Sequence, residues 1–231
     1  MYPVDQGRNY YRCSTQKNRL PALWQPPLSE DPSDSDSIVV GMSSIVPRWD
    51  VPGSNTTLEF FVRADSFPSA DDVSYATQMF QQAADDWNAL GLGVSISQAA
   101  DEMKANFDLV YRVNGRADQG LYAVAFFPHE RHSDVVVTDF ALSAKERGTL
   151  KNVFLHEIGH ILGLRHEFAL DKEGEGAVRF MEENPVSVMS YTSPPIMQES
   201  DRVGVKEFYK LERGLKIGGS PIVDFQPELR R

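Results

Sequence analysis

The chain has 231 residues, 23 basic against 33 acidic side chains, and a net charge of −10. That balance, with no basic stripe to offset it, argues against nucleic acid as a partner, and no apolar run approaches the length of a membrane span. Cys13 is the only cysteine, which excludes an internal disulfide.

The length suits one domain of moderate size that buries its own core, expected as a monomer. Residues 1–20 are polar and aromatic, without the apolar centre of a signal peptide. Three readings of the compartment stay open: action inside the cell, a targeting segment outside this sequence, or exit by another route.

Residues 1–46 read as an N-terminal extension, partly flexible. Pro21, Pro26 and Pro27 break regular structure, and Ser29 to Ser37 is an acidic run without the glycine and spacing of a calcium loop. The folded part starts at Pro47. Thr57–Val62 has the composition of a strand. Ser69, with Asp72 three later, reads as a helix start. Behind it Val73, Ala76, Phe80, Ala83, Trp87 and Leu90 recur every three or four residues, a long amphipathic helix ended near Gly91.

Strands are expected at Val94–Ser97, Phe107–Val113, Leu121–Phe127 and Asp134–Asp139. A central, mostly buried helix spans Ala144–Leu162, the chain then turns irregular through Gly174 and Gly176, and a last helix covers Glu199–Glu212. This order predicts an α+β fold, a mixed sheet packed on two long helices.

The chemistry lies in His156-Glu157-Ile158-Gly159-His160-Ile161-Leu162-Gly163-Leu164-Arg165-His166. On a helix His156 and His160 stack on one face. His166 would point away if the helix continued, but Gly163 can take the left-handed backbone that ends a helix and lets His166 return. Three histidines with an open fourth position suit one catalytic zinc ion. Glu157, one residue after the first ligand, is placed to take a proton from water at the metal. No cation stands three or four residues from it, so an unpaired carboxylate on so apolar a helix needs a metal site to compensate it.

This signature resembles that of the metzincin metalloproteases. Ser187-Val188-Met189-Ser190-Tyr191 is similar to the Met-turn of that superfamily, which sets a methionine beneath the zinc. Tyr191 looks like the tyrosine of astacins and serralysins, and His166-Glu167 looks like astacins. Arg48-Trp49 and Ala125-Phe126-Phe127-Pro128 look more like matrixins. The resemblance implies a catalytic domain over 47–213, with the active-site helix between an upper lobe (47–166) and a smaller lower lobe (167–213), and a tail at 214–231. It implies a zinc endopeptidase that cuts protein or peptide substrates held along Leu121–Phe127. Glu157 would be the general base and Tyr191 a donor to the oxyanion. His129, His132 and Asp134 stand where matrixins bind a second zinc, but the matching stretch is short and they read as loop residues.

Two other readings remain: a narrow zinc amide hydrolase, and a zinc-binding protein without turnover. Cys13 is expected to be a free surface thiol. Arg12-Cys13 also resembles the inhibitory thiol of matrixin propeptides, which plugs the open zinc position.

Overall fold

Two short strands, β1 (Ser37–Val40) and β2 (Val46–Trp49), precede the longer β3 (Thr56–Val62) in the computed structural model. The structure describes residues 13, 15, 37–51, 55–130, 133–173, 176–181 and 184–229. Leu58, Phe60 and Val62 of β3 are buried and alternate with less buried neighbours, the pattern of a strand with one face on a core. Ser69 caps α1 (Ala70–Asn88) by accepting from the Asp72 amide, which satisfies a donor the helix leaves orphaned. Ala76, Phe80, Ala83 and Trp87 then form its buried stripe.

Strands β4 (Val94–Gln98), β5 (Phe107–Arg112), β6 (Ala123–Val124) and β7 (Val135–Thr138) complete a five-stranded sheet in the order β4-β3-β5-β7-β6. All its pairings are parallel except that of β6 with β7. Parallel neighbours need a crossover, and α1 supplies the one between β3 and β4. After α2 (Asp139–Leu142) comes the central helix α3 (Leu150–Ile161). Edge-to-face ring contacts run from Phe60 to Phe80, at 4.7 Å, and on to Phe154, at 5.1 Å. They tie sheet, α1 and α3 into one core, with offset geometry that suits aromatic quadrupoles.

Past α3 lie α4 (Ala169–Lys172), β8 (Val178–Met181), α5 (Glu199–Lys210), β9 (Lys216–Ile217) and β10 (Ser220–Phe225). β8 pairs antiparallel with β1, and β10 lies parallel to β2. The architecture is α+β, a mixed sheet packed on two long helices. Among the described residues no helix is long and apolar enough to cross a membrane.

Several elements differ from the sequence expectations. Helix α3 starts at Leu150 rather than Ala144, because Thr138 caps the separate short helix α2 and a 3-10 turn at Arg147–Thr149 intervenes. The expected strand Leu121–Phe127 shrinks to Ala123–Val124. Beyond it the Ala125 amide bonds the Thr15 hydroxyl and the Phe127 amide bonds Glu130. Strands β1, β2, β8, β9 and β10 were not anticipated. β2 contains Pro47, which reads as a strand breaker but is tolerated at the edge of the β2-β10-β9 sheet. The proline-rich part of the extension and the acidic run up to Asp36 lie outside the described residues.

Candidate metal centre

Helix α3 is buried nearly all round, and its C-terminal carbonyls are held from outside. Trp49 Nε1 donates to Ile161 O at 2.7 Å, and the Tyr209 hydroxyl to Leu162 O at 3.0 Å. Gly163 then adopts φ +94°. The Leu164 amide bonds Gly159 O and the Gly163 amide bonds His160 O, both at 2.9 Å. These are the two bonds of a Schellman ending, which needs a left-handed residue at the position of Gly163. The reversal carries His166 back beside the helix. A Cβ on Gly163 would lie 2.5 Å from Pro47 O, so backbone angle and space both ask for glycine here.

The three histidines meet. His166 Nε2 lies 3.1 Å from His156 Nε2 and 3.3 Å from His160 Nε2, and all three residues are at most 1% exposed. Their Nδ1 atoms face outward: His156 donates to Val188 O and His160 to Leu164 O, both at 2.8 Å, and His166 donates to Glu173 at 2.5 Å. A carbonyl oxygen only accepts, so the Nδ1 atoms of His156 and His160 carry the proton. The Glu173 carboxylate fixes the same tautomer on His166. Three Nε2 lone pairs therefore converge on one point with no proton between them. Burial, then the neighbouring His166, pushes His156 and His160 down and keeps both neutral.

Cys13 is also there. Its Sγ and the three Nε2 atoms all lie within 4.8 Å of one another, with Sγ 3.5 Å from His160 Nε2. Tetrahedral zinc, with bonds of about 2.0–2.1 Å to nitrogen and about 2.3 Å to sulfur, sets nitrogens about 3.3 Å apart and sulfur about 3.6 Å from nitrogen. The donor set fits such an ion. Cys13 is 6% exposed, which overturns the expected surface thiol; a parallel bridge to Ala123 draws it in. Burial, then the Glu157 charge, pushes this thiol up.

Glu157 is fully buried beside the cluster. Its Oε2 accepts from the Thr15 hydroxyl at 2.9 Å and lies 3.6 Å from Cys13 Sγ. Tyr191 is less close to the converging nitrogens than its sequence role implies. Its hydroxyl donates to Glu173 Oε1 at 3.0 Å, on the Nδ1 side of His166. Burial, then the Glu173 charge, pushes the Tyr191 hydroxyl up. Burial alone would raise the Glu173 carboxyl, but His166 and Arg165 outweigh it and hold it below the usual range.

Met189 packs under α3, where a Cβ on Gly159 would meet its Sδ at 2.3 Å. The Ser190 amide bonds Ser187 O, closing the turn that aims Val188 O at His156. Glu167 does not reach the cluster: its amide bonds Met189 O and its carboxylate accepts from the Asn184 amide. His129 is half-buried against Phe127 and Phe225, while His132 lies outside the described residues. Sequence reasoning missed Glu173 and Thr15. The need of His166 Nδ1 for an acceptor pointed to the carboxylates that follow it, and nothing pointed to Thr15.

Residues 156–160 spell His-Glu-Ile-Gly-His, and the pattern of the dual-action HEIGH metallo-peptidases matches residues 53–176, just over half of the chain. The chain belongs to that family. That family is one of metallo-peptidases. Among solved structures it is similar to metalloproteinase-II from Bacteroides fragilis, at 13% identity and a TM-score of 0.38. The match covers 74% of this chain, which spans 57% of that one. No curated protein matches.

Proposed function

We propose that this HEIGH peptidase is a zinc-dependent endopeptidase of the metzincin type, with 47–213 as its catalytic domain. In this reading α3 divides an upper lobe (47–166) from a smaller lower lobe (167–213), and residues 214–231 are a tail whose strand β10 pairs back onto β2. The turn at Ser187–Ser190 acts as the Met-turn. One observation carries the reading: three buried Nε2 lone pairs cluster with Cys13 Sγ, which lies 3.6 Å from the buried carboxylate of Glu157.

His156, His160 and His166 would hold the zinc, which when bound would make water acidic near neutral pH and polarise a carbonyl. Glu157 takes the proton of the attacking water and delivers it to the leaving amine. Tyr191 turns from Glu173 to donate a hydrogen bond to the oxyanion of the scissile group. The substrate is a protein or peptide lying extended along β6 and the residues after it. Support for that edge comes from the backbone bridge of Cys13 to Ala123 and the bond of Thr15 to the Ala125 amide, which already hold a peptide segment there.

The test is digestion of a diverse peptide library by the zinc-loaded full chain and its Cys13→Ser form, with Glu157→Ala in each background. Cuts inside peptides that fall roughly 100-fold or more with Glu157→Ala, zinc still bound, are expected. Zinc-loaded protein that cuts nothing in either background would overturn the reading. Cuts confined to one peptide would assign a narrow amide hydrolase instead.

A further inference from the structure

We infer that Cys13 is the fourth ligand of the metal and closes the centre to incoming ligands, so that the chain is held latent by its own N-terminal segment. The inference rests on the metal-centre reading of the three histidines, but not on what the enzyme cuts.

Three independent contacts carry it. The thiol sits where a fourth tetrahedral donor belongs: Sγ is 3.5 Å from His160 Nε2 and shares one cluster, within 4.8 Å, with all three Nε2 atoms. Its backbone is fixed in place by the parallel bridge to Ala123, so the sulfur is aimed by the edge of the sheet rather than by a free chain end. Two residues on, the Thr15 hydroxyl donates to Glu157 Oε2 and accepts from the Ala125 amide, both at 2.9 Å. The Thr15 amide also points its N–H at Cys13 Sγ, at 3.4 Å.

One short segment thus covers the open metal position, the general base and the first backbone donor beyond β6. A peptide substrate needs all three. On ligation the thiol gives its proton to solvent and the sulfur lone pair forms the metal bond, so nothing is oxidised or reduced. Release requires only that the segment leave. A tethered thiol acts at an effective concentration of order millimolar, enough to outcompete free ligands of moderate affinity.

The experiment loads the full chain and Cys13→Ser with Co(II) and records their near-ultraviolet spectra. Acetohydroxamate, a small chelating probe for an open metal position, is then titrated in. Alkylation of Cys13 by iodoacetamide is timed in the parent with and without zinc. Three results are expected: a thiolate-to-cobalt charge-transfer band in the parent that Cys13→Ser lacks, alkylation slowed by zinc, and at least about tenfold more acetohydroxamate needed by the parent than by Cys13→Ser. A parent without the band, with a thiol that alkylates as fast loaded as unloaded, overturns the inference. So does a parent that takes up acetohydroxamate as readily as Cys13→Ser. None of these readouts uses peptide cleavage, so failure here and failure of the endopeptidase reading are told apart. The parent measurements stand even if the variant does not fold.

Discussion

Both carboxylate oxygens of Glu173 are engaged. His166 Nδ1 and the Tyr191 hydroxyl donate to one oxygen, and Arg165 lies 3.3 Å from the other. A carboxylate behind a ligating histidine fixes its tautomer and raises its basicity. Glu173→Gln preserves the shape and removes the charge. Its affinity for zinc, measured by competition with a chelator, should fall roughly 10- to 100-fold with the fold intact; an unchanged affinity would show that His166 needs no such partner. At this scale the sequence is legible where partners are close along the chain. The three histidines span eleven residues, and helix geometry plus Gly163 brings them together. Cys13 meets His160 across 147 positions and Thr15 meets Glu157 across 142. No periodicity encodes such a contact, so the default of a surface thiol failed.

Helix α5 is fastened to the turn beneath the metal centre by one side chain. Asp201 accepts from the Ser187 hydroxyl at 2.6 Å and from the Val188 and Gln198 amides at 2.9 and 2.8 Å. It thereby both caps the helix and holds the turn. Burial pushes its carboxyl from 3.8 up to about 6, against the pull of those bonds. With the folded value above the unfolded one, the native state binds the proton more tightly between those limits. The stability this group contributes is full at low pH and is lost as pH rises through about 6. At about 1.4 kcal/mol per unit the swing is at most roughly 3 kcal/mol. Denaturant unfolding of the parent and Asp201→Asn between pH 4 and 7 should show the parent's advantage shrinking as pH rises; a constant difference would sink the assignment. Elements with strong periodicity, such as α1, were readable from sequence. Helix α3 was overextended because its flank 144–149 shares its helix-forming composition, while α2 and the 3-10 turn are decided by the local cap at Thr138. The edge strand was overextended too, since its donors turn to Thr15 and Glu130, which composition does not reveal.

Across the whole molecule, one buried cation joins three distant segments. Arg48 on β2 pairs with Asp224 on β10 at 2.9 Å and donates to Phe208 O and Leu211 O at the end of α5, at 2.8 and 3.1 Å. Both charged side chains are at most 4% exposed. Removing one partner of a buried pair leaves the other charge uncompensated, which costs about 3–5 kcal/mol. Asp224→Ala should lose stability of that order in urea unfolding, and a loss below about 1 kcal/mol would show that the carbonyls alone satisfy Arg48. The overall α+β layering followed from the order of strands and helices. The small sheets did not, because four-residue strands such as β1 and β2 acquire their identity from partners more than a hundred residues away.

The bridge between Cys13 and Ala123 also orders events in time. The thiol is made first, and its histidine partner at position 160 comes 147 residues later. At synthesis rates of about 5–20 residues per second, that lag is roughly 7–30 s. For that interval the sulfur has no socket, and if Cys13 closes the centre as inferred, folding of the sheet edge competes with metal capture once His166 is made to decide whether it is first assembled shut or open.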